Sequence, residues 1–176
     1  NETDLMRTIN IAFNIALLFG FSTLFILEIH NLINKLNETN DRLNYIATHD
    51  ALTGLYNRHS LTGALSALKT SERPFCIVMG DLDDFKKVND TYGHECGDVV
   101  LKSVSEVILR NMGGGNTACR WGGEEILMIM YGTAMDCFNT ISRIKAQINN
   151  LKITHDGTPV KVSMTFGFAA SGESGS

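Results

Sequence analysis

Residues 119–131 read CRWGGEEILMIMY, and the fold turns on how this stretch is read. Gly122-Gly123 is the dipeptide a tight hairpin wants, because glycine reaches the positive φ of a two-residue primed turn at little steric cost. The ILMIM that follows has the length and composition of a buried strand. Glu124 and Glu125 are therefore expected at a rigid hairpin tip, a place that can hold a metal or a phosphate.

Working outward, TACRW and EILMIM form the two arms of the hairpin, while PFCIVMGD (74–81) and VKVSMTFGFAA (160–170) are further strand-like runs. Leu61, Ala64, Leu65 and Leu68 mark one amphipathic helix. Val100, Leu101, Val104, Val107 and Ile108 mark a second, and Phe138, Ile141, Ile144, Ile148 and Leu151 a third. The order helix, strand, helix, hairpin, helix, strand predicts a central mixed sheet flanked by helices, an α/β or α+β sandwich. GGG at 113–115 and HDGTP at 155–159 are expected to be loops.

With 176 residues, 44% hydrophobic and 19% charged, the chain suits one globular domain plus an appendage. A net charge of −4 and the lack of any Lys/Arg-rich run offer nucleic acid no general attraction, so a phosphate ligand must be held locally. Cys76, Cys96, Cys119 and Cys137 are widely spaced without a C-x-x-C pair, which disfavours a zinc site or disulfide framework.

The appendage is N-terminal. Residues 8–27 (TINIAFNIALLFGFSTLFIL) carry no charge, and as a helix this run spans roughly 30 Å, the thickness of a hydrocarbon core. A transmembrane helix is expected; a buried core helix or an uncleaved signal sequence are the alternatives. Flanking charge specifies orientation poorly, with Arg7 before the span and Lys35 and Arg42 after it. Beyond it, Ile29, Leu32, Leu36, Thr39, Leu43 and Ile46 fall on alternating three- and four-residue steps, the seam of a short parallel coiled coil. A solvated linker helix is the plainer alternative. Three segments result: a membrane helix with its flank at 1–28, a linker helix at 29–47 and a globular domain at 48–176.

Asp81 ends the apolar run CIVMG, so its carboxylate emerges at the edge of a buried strand. Alone it could be a helix N-cap. If its strand neighbours the hairpin, Asp81, Glu124 and Glu125 converge, and such carboxylates repel unless a hard cation neutralises them. Oxygen ligation with incomplete protein coordination suits Mg²⁺, which keeps waters and substrate phosphates in its shell. Lys86, Lys87 and the backbone amides around Asp84 and Phe85 could take the remaining phosphate charge; a solvated lysine pair is the alternative.

Three linked segments now carry a resemblance. DALTGLYNR (50–58), DLDDFKKVNDTYGHECGD (81–98) and RWGGEEI (120–126) closely resemble, in order and spacing, the signature segments of GGDEF-domain diguanylate cyclases, and SMTFGFA (163–169) is similar to their late strand. The resemblance covers about residues 47–170. It implies a fold similar to class III nucleotide cyclases and polymerase palms, and the condensation of two GTP into cyclic di-GMP with release of two pyrophosphates. It also implies bacterial signalling, with two Mg²⁺ or Mn²⁺ per active site and a homodimer in which each copy presents one GTP. Carried over residue by residue, Asp81 and Glu125 look like metal ligands with the Leu82 carbonyl. Glu124 matches a position acting as metal ligand or as base toward the 3′-hydroxyl. Gly122 and Gly123 would admit the nucleotide, Asn89 and Asp98 match guanine-binding positions, and Phe85 and Lys86 match phosphate-loop positions. Because GTP is cytosolic, the domain is expected on the cytoplasmic side of the bacterial inner membrane.

Other residues read more plainly: His94 as a loop residue, Trp121 as packing, Asn57 and Arg58 as ties for the first helix, although Arg58 could approach a phosphate. Three departures stand out. Ile126 replaces the signature Phe, at a cost of roughly 1 kcal/mol. Gly113 and Asn116 stand where many members have the R-x-x-D product-inhibition motif, so inhibition through that site is not expected. A Lys/Arg-bearing segment that usually follows the late strand is not in the sequence. The chain is therefore expected to be a piece of a longer protein or to have an incomplete active site, and a catalytically inactive nucleotide-binding or regulatory module is the alternative function.

Overall fold

A computed structural model describes residues 2–68 and 72–171. The chain divides into two units, residues 1–47 and 48–176.

The first unit is almost all of one helix, α1 (Glu2–Thr48), with no buried residue. The helix runs without a break through both the apolar run and the linker seam, so no structural boundary separates the two. Three of its threonines spend their hydroxyls internally: Thr8 donates to the Asp4 carbonyl at 2.9 Å, Thr23 to Phe19 at 3.1 Å and Thr39 to Lys35 at 2.8 Å. This one helix is long and apolar enough to cross a membrane.

The second unit runs β1 (Tyr56–Asn57), α2 (Arg58–Leu68), β2 (Phe75–Leu82), α3 (Phe85–Tyr92), α4 (His94–Asn111), β3 (Thr117–Gly122), β4 (Glu125–Tyr131), α5 (Ala134–Asn149), β5 (Ile153–His155), β6 (Thr158–Val160) and β7 (Met164–Ala170). Five strands form one sheet in the order β1-β3-β4-β2-β7; β1 and β3 pair in parallel and the other neighbours are antiparallel. The mixed sheet flanked by helices is the architecture expected from the sequence.

Both faces of the sheet are covered, which is why β4 reads as continuous apolar sequence rather than an alternating one. Ile126, Met128 and Met130 join the larger core with Val78, Met164 and the inner faces of α3, α4 and α5, while Leu127 and Ile129 pack with Leu61 and Leu68 of α2. Ile126, fully buried, repacks the position where the resembling motif has an aromatic ring.

Local signals fix the element ends. Asn57 caps α2, its Oδ1 accepting from the Ser60 amide and hydroxyl, both at 3.0 Å. Thr133 and Asp136 form a reciprocal capping box at α5. Three details differ from expectation. The segment 155–159 is the turn of a hairpin, β5–β6, with Asp156 and Gly157 both at positive φ; Asp-Gly between extended arms is a strong hairpin signal. The late strand begins at Met164; Val160 belongs to β6 and residues 161–163 connect the two. The residues after Asp81 form a separate helix, α3, split from α4 at Gly93, whose φ of 83° no L side chain adopts easily.

Candidate active site at the edge of the sheet

β2 is an interior strand, between β4 and the edge strand β7, and Asp81 lies near its end. In register, Asp81 stands directly opposite Glu125 of β4 on one side and Thr165 of β7 on the other. Directly opposed residues send their side chains to the same face, with Cβ atoms roughly 5 Å apart. Strand alternation buries Leu82 in the core and leaves both Asp81 and Glu125 exposed at the rim. The Asp81 carboxyl is pushed above its ordinary range, first by burial and then by the negative charges of Glu124 and Asp83. The neighbouring Asp83 behaves oppositely. Its oxygens accept from Ser163 Oγ at 2.6 Å and Thr165 Oγ1 at 2.8 Å, and these bonds hold its carboxyl below the ordinary range. Asp83 is thus engaged by β7 and the segment before it, while Asp81 is left with like charges around it.

The hairpin tip is displaced by one residue from the sequence expectation. Gly122 pairs with Glu125, so Gly123 and Glu124 are the two turn residues, and a bulge at Trp121 absorbs the register shift. Gly123 takes the positive φ, 26°, and a Cβ on Gly122 would come within 3.2 Å of Glu125 Oε2. Glu124 is half-buried in the turn. Two residues that received no role from the sequence hold this tip. Arg120 Nε donates to the Gly123 carbonyl at 3.0 Å, and its Nη1 reaches Asp50 Oδ1 and Oδ2 at 3.2 and 3.3 Å. Asp50 also accepts from the Thr53 amide and hydroxyl. Burial opposes ionisation of Asp50, but Thr53 and Arg120 outweigh it and keep the carboxyl below its usual range. The signal was present, since Asp50 and Arg120 open two of the three recognised segments; only their pairing could not be read. The Arg58 guanidinium lies over the Trp121 ring, 4.4 Å from its centroid, beside the hairpin.

Past Asp83 the chain turns through Asp84, a left-handed residue with φ 54°, into α3. No side chain caps α3, so its first amides remain open at the rim beside Asp81. Phe85 is buried in the core and offers only its backbone to that rim, while Lys86 is exposed. Lys87, not Lys86, lines a groove with Asp83, Asp84, Lys161 and Ser163.

Asn89 and Asp98 flank the Gly93 elbow, Asn89 on α3 and Asp98 in the second turn of α4. Gly97 sets the Asn89 side chain: a Cβ there would collide with Asn89 Oδ1 and come within 3.2 Å of the Phe85 ring. His94 is the exposed first residue of α4.

The assembled rim offers carboxylate and carbonyl oxygens only, with an excess of negative charge at Asp81 that a hard cation would relieve. That donor chemistry fits Mg²⁺ or Mn²⁺. Among the described residues no three His, Cys, Asp or Glu side chains are drawn into a tight ligand cluster. Gly113 and Asn116 lie away from this rim, before β3, where Asn116 Oδ1 accepts from the Tyr131 amide at 2.9 Å.

A two-sided α/β sandwich with acidic residues at the end of an interior strand and at an adjacent hairpin tip defines a class of nucleotide-handling domains. The chain belongs to the GGDEF family: the family model for "Diguanylate cyclase, GGDEF domain" matches residues 47–176. It is 34% identical over 137 residues to the response regulator PleD of Caulobacter vibrioides, a match covering 74% of this chain and 30% of that protein. It is 31% identical over 139 residues to diguanylate cyclase A of Treponema denticola, covering 74% of this chain and 38% of the relative. The chain thus spans about a third of the length of these relatives. Among solved structures, the coiled coil and GGDEF domain of DgcB from Caulobacter crescentus, in complex with c-di-GMP, superposes with a TM-score of 0.73 at 27% identity, covering 82% of this chain and 80% of that one. Diguanylate cyclase SiaD of Pseudomonas aeruginosa, in complex with its activator SiaC, gives a TM-score of 0.69 at 25% identity, covering 96% of this chain and 69% of that one.

Proposed function

We propose that the protein is a membrane-anchored diguanylate cyclase that condenses two GTP into cyclic di-GMP. The observation that carries this reading is the pairing of Asp81 with Glu125 at the sheet edge, next to Glu124, with the Asp81 carboxyl raised by burial and by the charges of Glu124 and Asp83. Asp81, Glu125 and the Leu82 carbonyl would hold Mg²⁺ or Mn²⁺, two ions per site, which when bound polarise the α-phosphate and lower the pKa of an attacking hydroxyl.

The remaining roles fall to this chain's own groups. Asn89 and Asp98 bind guanine; a carboxylate accepts from its N1–H and N2–H₂, and adenine offers neither. The open amides of α3, with Lys86, receive phosphate oxygens. Gly122 and Gly123 let the backbone approach the nucleotide. Glu124 serves as a metal ligand or accepts the proton of the 3′-hydroxyl. Each 3′-hydroxyl oxygen forms a bond to the α-phosphorus of the GTP on the other copy, and the bond to pyrophosphate breaks. Two such displacements close the ring, which requires a homodimer. The uncharged run 8–27 supports a reading of α1 as a span of the bacterial cell membrane, and a cytosolic GTP substrate supports a cytoplasmic second unit.

The test is turnover of GTP by the full chain in bilayers with Mg²⁺. Release of pyrophosphate from GTP but not from ATP, abolished by chelation, supports the cyclase. GTP binding without turnover would instead identify a nucleotide-binding regulatory module.

A further inference from the structure

Asn10 and Asn14 are polar residues in a run that otherwise suits lipid, and amides inside a hydrocarbon layer are costly unless each donor and acceptor is matched. Their side chains match only partly within the helix. Asn14 Nδ2 donates both to the Asn10 carbonyl at 2.9 Å and to Asn10 Oδ1 at 3.2 Å. This uses both Asn14 donors and leaves the Asn10 amide nitrogen and the Asn14 side-chain oxygen, one donor group and one acceptor, without a hydrogen bond among the described residues. Nothing in α1 is buried, so both atoms lie on its outer surface. Thr8, Thr23 and Thr39 of the same helix differ, each returning its hydroxyl to the helix backbone.

Their position along the helix matters as much as their chemistry. Asn10, Asn14, Leu17, Phe21 and Leu24 follow alternating four- and three-residue steps, as the linker seam from Leu36 to Ile46 does. Steps of four through Glu28 and Leu32 join the two patterns, an inserted stutter rather than a break. At 3.6 residues per turn the whole stripe stays within an arc of about 120°. One unbroken helix therefore carries one continuous face, mainly apolar toward its linker end apart from Glu28 and Thr39, and bearing an unmatched amide pair at its membrane end.

We infer that this face docks a second copy of the same chain in parallel, and that the Asn10–Asn14 pair fixes the register of the two helices inside the membrane. The occupant is a second copy because the unmatched groups are self-complementary: the Asn10 nitrogen of either helix donates to the Asn14 oxygen of the other. The bond from Asn14 Nδ2 to Asn10 Oδ1 at 3.2 Å already draws the two side-chain amides together, so the Asn10 nitrogen and the Asn14 oxygen are presented side by side to a partner. A leucine-only face would allow the helices to slide, whereas a polar pair in an apolar seam permits one alignment. The inference rests on the membrane reading proposed above and adds to the homodimer the residues that align it.

The experiment is energy transfer between donor- and acceptor-labelled full chains in lipid vesicles across a lipid dilution series, with alkaline carbonate extraction run in parallel. The wild-type chain is expected to resist extraction and to dimerise, and Asn10→Leu/Asn14→Leu to resist extraction equally while its dimer dissociation constant rises about ten-fold. Thr23→Leu, which removes a polar group off the stripe, is expected to leave that constant within about two-fold. Equal dimerisation of the wild type and the Asn variant, or an equal loss in the Thr23 variant, would overturn the inference while leaving the membrane reading intact. A wild-type chain that carbonate strips from the vesicles would overturn both.

Discussion

Asp81 and Glu125 form the last pair of the β2–β4 ladder, so the two carboxylates are held side by side by backbone register and not by any bond between them. The Asp81 pKa is raised, first by burial and then by the charges of Glu124 and Asp83. Because the folded pKa lies above the unfolded value, ionised Asp81 costs stability once pH exceeds the unfolded pKa of about 3.9. Asp81→Asn is therefore expected to raise the urea midpoint at neutral pH in metal-free buffer while eliminating Mg²⁺ binding by calorimetry. In the wild type, Mg²⁺ affinity should fall as pH drops through the raised pKa, at a higher pH than an ordinary aspartate would give. A destabilised Asn variant would contradict this account of the rim.

Arg120 joins Asp50 to the Gly123 carbonyl, and the ion pair is mostly shielded, the two side chains being 21% and 24% exposed. Arg120→Met should cost about 1–3 kcal/mol in urea unfolding, since it leaves the Asp50 carboxylate short of a partner. The Asp50 pKa is lowered in the fold, so its contribution is present above about pH 3.9 and is lost as pH falls through the folded pKa. Wild type and Arg120→Met should converge in stability in acid. Parallel pH profiles would rule out the pairing as the source.

Gly97 makes room for the Asn89 side chain. Alanine in mid-helix ordinarily stabilises by about 1 kcal/mol, but here Gly97→Ala should displace Asn89 and weaken GTP binding roughly two- to ten-fold, the worth of one neutral hydrogen bond. Asp98→Ala should lower discrimination between GTP and ATP. Competition binding with both nucleotides checks both variants, and unchanged discrimination in Asp98→Ala would remove that residue from the guanine site.

Asn116 is engaged with the Tyr131 amide and Gly113 has no side chain, so the segment before β3 offers neither the guanidinium nor the carboxylate of an R-x-x-D motif. Added cyclic di-GMP is expected to leave the initial rate of GTP turnover unaffected through this segment. Tight product binding abolished by substitutions at 113–116 would contradict it.

Local chemistry made much of this legible in advance. The apolar run of β4, the glycines before it and the acidic end of β2 announced a hairpin and a separate buried strand, because turn propensity and burial are written in adjacent residues; that the two are neighbours came from the register. What escaped depended on long-range pairing or on one-residue register. Asp50 and Arg120 are seventy positions apart in sequence, and nothing local says that they meet. The bulge at Trp121 moves Glu124 into the turn, a shift that glycine content alone could not fix. α3 went unread although Phe85, Val88 and Tyr92 have helical spacing, since its many polar residues suggested a loop. The β5–β6 hairpin was obscured because its arms are only three residues long.

The central claim is that the acidic rim joins two GTP. The most direct measurement incubates the full chain in bilayers with GTP and Mg²⁺ and looks for cyclic di-GMP by mass spectrometry, with Glu124→Gln alongside. The account predicts product from the wild type and none from the variant. Equal product from both would contradict it, since Glu124 would then be neither ligand nor base.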